Sequence, residues 1–407
     1  MTPPTESPVR RLLDMTAAHA AAFLESLDDR PITPSASLDQ VRQAFEGELQ
    51  DEGLYPHVVI DELVDAADGG VVASPSGRYF GFVIGGGLPA ALAADWLAAT
   101  WDQNAGLYVG GPAAAVVEEV AGRWLLELFG LPPDASVAFV TGCQMAHFTA
   151  LAAARYHLLA GRGWDVNRDG LFGAPPLRVL AGADRHVTID RALRHLGIGT
   201  ACVQEVETGA SGGMGPEHLG RLLGASEAPT IVCVQAGEVN TGGFDPIDAV
   251  CDVAGPAGAW VHVDGAFGLW AAVDEGHRHL VRGLGRADSW ATDAHKWLNV
   301  PYDSGLAFCA HPDSHRASMS VRAGYLVHDD EERREQMDWN PEFSRRARGF
   351  AVYAALRSLG RSGLSDLVAR GCAHAEGARP RAGRRGAQRG GAEPGPRALP
   401  PSGRGRR

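Results

Sequence analysis

Lysine is all but missing from this 407-residue chain: of its 37 basic residues, 36 are arginine and one is Lys296. In a GC-biased composition, surface lysines can drift to arginine at little cost. A position that needs a primary amine cannot, because arginine stays protonated while lysine can lose its proton and attack a carbonyl. Lys296 is therefore either a candidate for covalent chemistry or a surface residue left by chance, and the count alone leaves both readings open. Paired cysteines are missing too. The six, at 143, 202, 233, 251, 309 and 372, include no CxxC, which argues against a zinc knuckle or a disulfide frame and for reduced thiols in a cytoplasmic protein. No apolar run reaches the length of about 18 residues that a membrane span needs. Arg10-Arg11 precede an apolar stretch, but Asp14 and His19 interrupt it, so an amphipathic helix is expected rather than a signal peptide. The net charge of −12 argues against a general nucleic-acid binder.

What is present reads as a globular α/β protein, with 45% apolar and 21% charged residues. Residues 1–75 read as helices separated by Pro-containing turns, "SLDQVRQAFEGEL" starting on a serine cap. Over 76–320, six apolar β-type runs ("SVAFVTG", "RVLAGA", "TIVCVQA", "WVHVDGA", "DSWATDA", "GLAFCA") alternate with helical runs such as "MAHFTALAAARYHLLA" and "TIDRALRHLG". Such alternation predicts a mostly parallel sheet with helices on both faces and ligands at the carboxyl ends of its strands. Phe343–Ala369 reads as two helices about a Gly-containing turn. Residues 371–407 contain nine Gly, seven Ala, five Pro and nine Arg. They lack apolar periodicity and are expected to be disordered, in the manner of a shifted reading frame in a GC-rich gene.

Four features fall at predicted strand ends: Lys296, preceded by His295; Asp264 in "VHVDGAFG"; the turn Thr141-Gly142-Cys143-Gln144 opening a helix; and His186 in "AGADRHVTIDRAL". Singly each has an ordinary structural explanation. Together they match the needs of pyridoxal 5′-phosphate: an amine for its aldehyde, a carboxylate to keep its ring nitrogen protonated, a helix start for its phosphate and a flat partner for its ring. No GxxxxGK[ST], strand-borne GxGxxG or HExxH competes. His277 and His279 in "DEGHRHL" are read as a solvated turn rather than metal ligands.

The chain resembles the group II pyridoxal-phosphate decarboxylases, the family of aromatic-L-amino-acid and glutamate decarboxylases. The resemblance runs over about residues 10–370 and rests on "FGFVIGGGLPAALAADWLAATWDQN", "EEVAGRWLLELFGLP", "TGCQMAHFTALAAAR", "VQAGEVNTGGFDP", "HVDGAFG" and "DAHKWLNVPYDSG". It implies a fold type I, PLP-dependent transferase-like large domain with a mostly parallel seven-stranded sheet over 76–340. An N-terminal helical segment over 1–75 and the start of a truncated small C-terminal domain over 341–370 flank it, and the 371–407 tail follows. It also implies a homodimer with the site at the interface, no nucleic-acid or membrane partner, and decarboxylation of an L-amino acid to its amine. By the same resemblance Lys296 bonds the cofactor aldehyde, Asp264 pairs with the ring nitrogen, Ala266 lies beneath the ring and His186 stacks above it. Gly142, Cys143 and Gln144 meet the phosphate and His295 flanks the lysine, with Thr292 and Asp293 nearby. Phe80, Phe82 and "IGGG" would wall the substrate pocket and suit an aromatic or aliphatic side chain. The chain departs from the family in having Gln144 where Ser or Thr is usual, and in lacking a tyrosine between Tyr325 and Tyr353, where His328 stands. The alternatives are an aminotransferase, which uses the same lysine and aspartate, and a cofactor-binding protein inactivated by its altered C-terminus.

Overall fold

A computed structural model describes residues 7–209, 213–321 and 334–378. The chain divides after Ala369 into two units; the first carries the fold described below, and in the second residues 370–378 are helical. Three helices come first: α1 (Pro8–Glu25), α2 (Leu38–Phe45) and α3 (Pro56–Asp68). Proline at the first turn starts α1 and α3, where its missing N–H costs nothing. Ser37 caps α2 through a reciprocal exchange with Gln40. None of the three buries a residue within the single chain.

Helices α4 (Pro89–Trp101) and α5 (Pro112–Phe129) lead into the sheet. Then follow β1 (Ser136–Val140), α6 (Cys143–Ala160), α7 (Val166–Asp169), β2 (Arg178–Gly182), α8 (Val187–His195), β3 (Val203–Val206), α9 (Pro216–Gly224), β4 (Thr230–Gln235), α10 (Ile247–Ala254) and β5 (Trp260–Asp264). After several 3₁₀ turns come β6 (Ser289–Asp293), β7 (Gly305–Cys309), α11 (Pro312–Met319) and α12 (Gly349–Ala378). Among the described residues seven strands lie in the order β1-β7-β6-β5-β4-β2-β3, and of these β7 alone runs against its neighbours.

Five strands (β1, β4, β5, β6 and β7) are buried along nearly their whole length, as expected for strands covered on both faces. The period of two divides their side chains. Trp260, His262 and Asp264 share one face of β5, and Ser289, Ala291 and Asp293 one face of β6. That face meets α6, which packs across β1, β5, β6 and β7. The opposite face holds Trp290 with Trp270 and Phe308, the last two packed edge-on against Phe129, and these rings fill the second core layer.

Two sequence expectations need correction. The edge strand β3, "VQEV", was not among the six expected; it is short and half exposed, so no apolar run marks it. Helix α12 starts at Gly349, is interrupted by non-helical Gly360 and continues to Ala378, so residues 371–378 are helical instead of disordered. His328 and residues 379–407 lie outside the described residues.

Candidate active site

The strand order brings four chain segments to one edge of the sheet: the turn after β1, the ends of β5 and β6, and the start of β7. Asp264 is the last residue of β5, paired with Ala291 of β6. Asp293 is the last residue of β6, paired with Gly305 of β7, which also faces Val140 of β1. The approach of these segments is close. A Cβ on Gly305 would lie 2.4 Å from the Gly142 backbone, so no side chain fits between the phosphate-type turn and β7.

Lys296 sits in the turn between β6 and β7, its Nζ 3.0 Å from Asp293 Oδ2. Burial opposes its charge, but the carboxylate of Asp293, with Cys143 and Asp264 behind it, outweighs burial and holds its pKa above the ordinary lysine value. Asp293 Oδ1 accepts the Cys143 N–H at the start of α6 at 2.6 Å and lies 3.4 Å from His295 Nε2. His295 Nδ1 accepts the Ser304 N–H at 3.0 Å, which leaves the proton on Nε2, facing Asp293. Burial lowers the pKa of His295, so its ring is neutral, and it stacks on Tyr302 at 4.2 Å.

Asp264 is buried and still ionised. Burial raises its pKa, but His147, the Ala266 N–H and His262 together hold it well below the usual carboxylate range. Its Oδ1 accepts from Ala266 N at 3.2 Å and faces His147 Nε2 at 3.5 Å and Cys143 Sγ at 4.0 Å. Among the described residues every such contact falls on Oδ1, which leaves Oδ2 for a ligand. Burial, reinforced by the charges of Asp293 and Asp264, pushes the Cys143 thiol well up; it stays protonated and is no nucleophile.

Lys296, His295, Asp293, Cys143, Gly142, Asp264 and Ala266 are thus brought into one cluster. Ala266 O accepts from Asp293 N at 3.0 Å and from Thr292 Oγ1 at 3.4 Å. Gln144 adds a buried Oε1 with no partner; since the two ends of an amide are assigned and not observed, the same position offers an N–H₂ donor. His186 stands apart. Its exposed ring caps α8 through Thr188, Nδ1 lying 2.7 Å from Oγ1, and among the described residues no bond joins it to Lys296 or Asp264. Phe80 and Phe82 are 89% and 85% exposed, so within one chain they wall nothing. "IGGG" does pack on the lysine turn, Gly85 N donating to His295 O and Gly86 N to Asn299 Oδ1.

Sequence reasoning overlooked the groups behind Asp264. His147 lies one helical turn past Cys143 on α6. His262 precedes Asp264 by two on β5, and Ser289 opens β6. Helical and strand spacing put each beside a named residue, and that spacing was the available signal. Cys143, His147 and Asp264 also form the one cluster among the described residues with metal-ligand spacing, within 4.8 Å. His277 instead bonds Asp274, Nδ1 to Oδ2, at 2.5 Å.

The donor set fits pyridoxal phosphate: a lone amine, a buried ionised carboxylate with one oxygen to spare, a helix start and an unpartnered amide. The Cys143 N–H, expected for the phosphate, is taken by Asp293 here, because that carboxylate reaches the helix start first.

A family model described as "Pyridoxal-dependent decarboxylase conserved domain" matches residues 39–382. The chain is 29% identical over 347 residues to Acidic amino acid decarboxylase GADL1 of Homo sapiens, covering 82% of this chain and 65% of that protein. It is 27% identical over 379 residues to Tryptophan decarboxylase 1 of Oryza sativa subsp. japonica, covering 88% and 73%. The crystal structure of Oryza sativa TDC with PLP and tryptamine superposes with a TM-score of 0.82 at 25% identity, over 90% of this chain and 77% of that one. The chain therefore spans less than two thirds of the human relative's length.

Proposed function

The chain belongs to the pyridoxal-dependent decarboxylases, and from that membership we propose that it removes the carboxylate of an L-amino acid as carbon dioxide and releases the amine. The observation that carries the proposal is the position of its only lysine, which is 3.0 Å from Asp293, itself bonded to Cys143, whose sulfur reaches Asp264. Bound there, pyridoxal phosphate supplies an aldehyde for an amine and an electron-poor ring that takes up the electron pair left at the substrate's Cα.

The chain's own groups divide the remaining work. Lys296 holds the cofactor covalently, and Asp293 orients its Nζ and keeps its proton at hand. Asp264 offers Oδ2 to the ring nitrogen, and its ionised state favours a protonated ring. Gly142, Cys143 and Gln144 meet the phosphate at the start of α6, Ala266 lies under the ring, and His186 covers it from the start of α8. His295 presents its Nε2–H from a neutral ring. The glycine-rich segment on the lysine turn favours an aromatic or aliphatic substrate over a dicarboxylic one. The chain acts as a homodimer, since α1 to α4 expose apolar side chains and so do Phe80 and Phe82. A cytoplasmic setting suits the thiols of Cys143, Cys202, Cys233, Cys251 and Cys309, none in a disulfide.

The test is release of labelled carbon dioxide from a panel of L-amino acids by the purified chain with added cofactor. Tryptophan, phenylalanine and leucine should release it faster than glutamate or aspartate, and Lys296→Ala should abolish both turnover and the visible absorbance of the lysine-bound cofactor. Keto-acid formation without carbon dioxide would make the protein an aminotransferase. Cofactor binding with no turnover of any amino acid would make it a binding protein.

A further inference from the structure

Behind Asp264 lies a buried file of polar groups that the proposed reaction leaves unused. Trp260 Nε1 donates to Ser289 Oγ at 2.8 Å, and Ser289 Oγ meets His262 Nδ1 at 2.9 Å. His262 Nε2 meets His147 Nδ1 at 2.9 Å, and His147 Nε2 faces Asp264 Oδ1 at 3.5 Å and Cys143 Sγ at 3.3 Å. His147, His262 and Ser289 are each 0% exposed, and Trp260 is buried.

The direction of the protons along this file follows from its fixed end. An indole N–H only donates, so Ser289 Oγ accepts from Trp260 and its own proton goes onward to His262 Nδ1. His262 then carries its proton on Nε2 and donates to His147 Nδ1, and His147 carries its proton on Nε2 and donates to Asp264. In this arrangement all four donors and all four acceptors are matched. Reversing the file needs one more proton, on His147. His262 would then donate to Ser289, whose hydroxyl hydrogen would be left, among the described residues, without an acceptor.

We propose that Trp260, Ser289, His262 and His147 form a positioning relay that keeps both imidazoles neutral and so leaves the full charge of Asp264 to the cofactor's ring nitrogen. The assignment rests on the pyridoxal-phosphate reading above. An imidazolium at position 147 would compete with the protonated ring for one carboxylate, whereas a neutral N–H donor stabilises that carboxylate without neutralising it. Burial first of all pushes His262 down to about 3, in keeping with a neutral ring at that position. The charged and titratable groups facing the relay are Asp264 from its own strand, Cys143 from α6 and Cys233 of β4, which pairs with His262, while the rings of His157 and His311 pack on Trp260. Lys296 and Asp293 act on Cys143, and Asp264 acts on Asp245.

The experiment compares the affinity of the full chain for pyridoxal phosphate with that for its 1-deaza analogue, in which C–H replaces the ring nitrogen. The wild type should prefer the natural compound, and His147→Leu should shrink that preference about tenfold or more, the worth of a hydrogen bond to a charged group. Equal losses for both compounds would reduce His147 to a structural residue and overturn the relay. If the variant does not fold, nitrogen NMR of histidine-labelled wild-type holoenzyme decides. Both Nδ1 atoms should be unprotonated and both Nε2 atoms protonated between about pH 6 and 8, where free histidine titrates. A proton on His147 Nδ1 in that range would overturn the proposal. A wild type that binds neither compound removes the cofactor reading and the relay's role together, whereas binding with an unchanged preference removes the relay alone.

Discussion

His262 and His315 are 0% exposed, and burial first of all pushes both down to about 3. The unfolded chain binds protons at these rings from about pH 6.5 downward, while the native chain refuses them. Their contribution to stability is therefore complete above that pH and is lost progressively toward the folded value of about 3. Between about pH 7.5 and 5.5 the pair should remove about 2–3 kcal/mol from the unfolding free energy. Urea titrations of the cofactor-free protein at the two pH values measure this, and equal midpoints would mean that the rings take up protons in place. At this scale the sequence was informative where composition singled a residue out. Lys296 stood alone among 37 basic residues, and Asp264 ended an apolar strand. His147, His262 and Ser289 carried no such mark. Each is an ordinary residue until α6 is laid across β5 and β6, a pairing between positions more than a hundred apart in the chain.

The lysine turn is an element whose position depends on one glycine. A Cβ on Gly85 would meet the Lys296 carbonyl at 2.0 Å and that of His295 at 2.7 Å, both rigid backbone atoms. Gly85→Ala should cost about 1–3 kcal/mol as an overpacked site and weaken cofactor affinity by displacing the turn. Gly87, with nothing within 4 Å of a built Cβ, provides the control. Calorimetry with a cofactor titration checks both, and a Gly85→Ala protein as stable as Gly87→Ala would show that the turn yields. Six of the seven strands were legible because each is an apolar run between turn residues, whereas β3, "VQEV", exposes two of its four side chains. The kink at Gly360 was legible as a turn because glycine takes the left-handed φ of 61° there without strain. The place where α12 begins was not, since "FSRRAR" has helical composition but is held in irregular form by Asn104, Glu118 and Asp303.

On the scale of the molecule, apolar surface outruns what one chain can cover. Leu13, Leu63, Trp96, Leu97 and Trp101 are between 42% and 54% exposed. A groove of about 430 Å³ lies between α4, α5 and α12, lined by Leu97, Trp101, Val116, Phe350 and Tyr353. Patches of this kind mark an interface. Light scattering on the eluting protein should give twice 42.9 kDa, and Leu63→Glu with Trp101→Glu should shift it toward a single chain; a wild-type monomer would refute the dimer. The helices of 1–75 were legible from their caps and periodicity, but what covers them was not, because a sequence shows which side chains are apolar and not which find cover at home. The strand order has a consequence for how such a chain comes into being. Among the described residues the last strand to leave the ribosome, β7, lies between β6 and the first, β1, and β1 has no other neighbour in the sheet. Until residues 305–309 are made, β1 has no strand to pair with, however complete the middle of the sheet already is. The strand that leads into the helix start therefore takes its place in the sheet late, with a long loop to close.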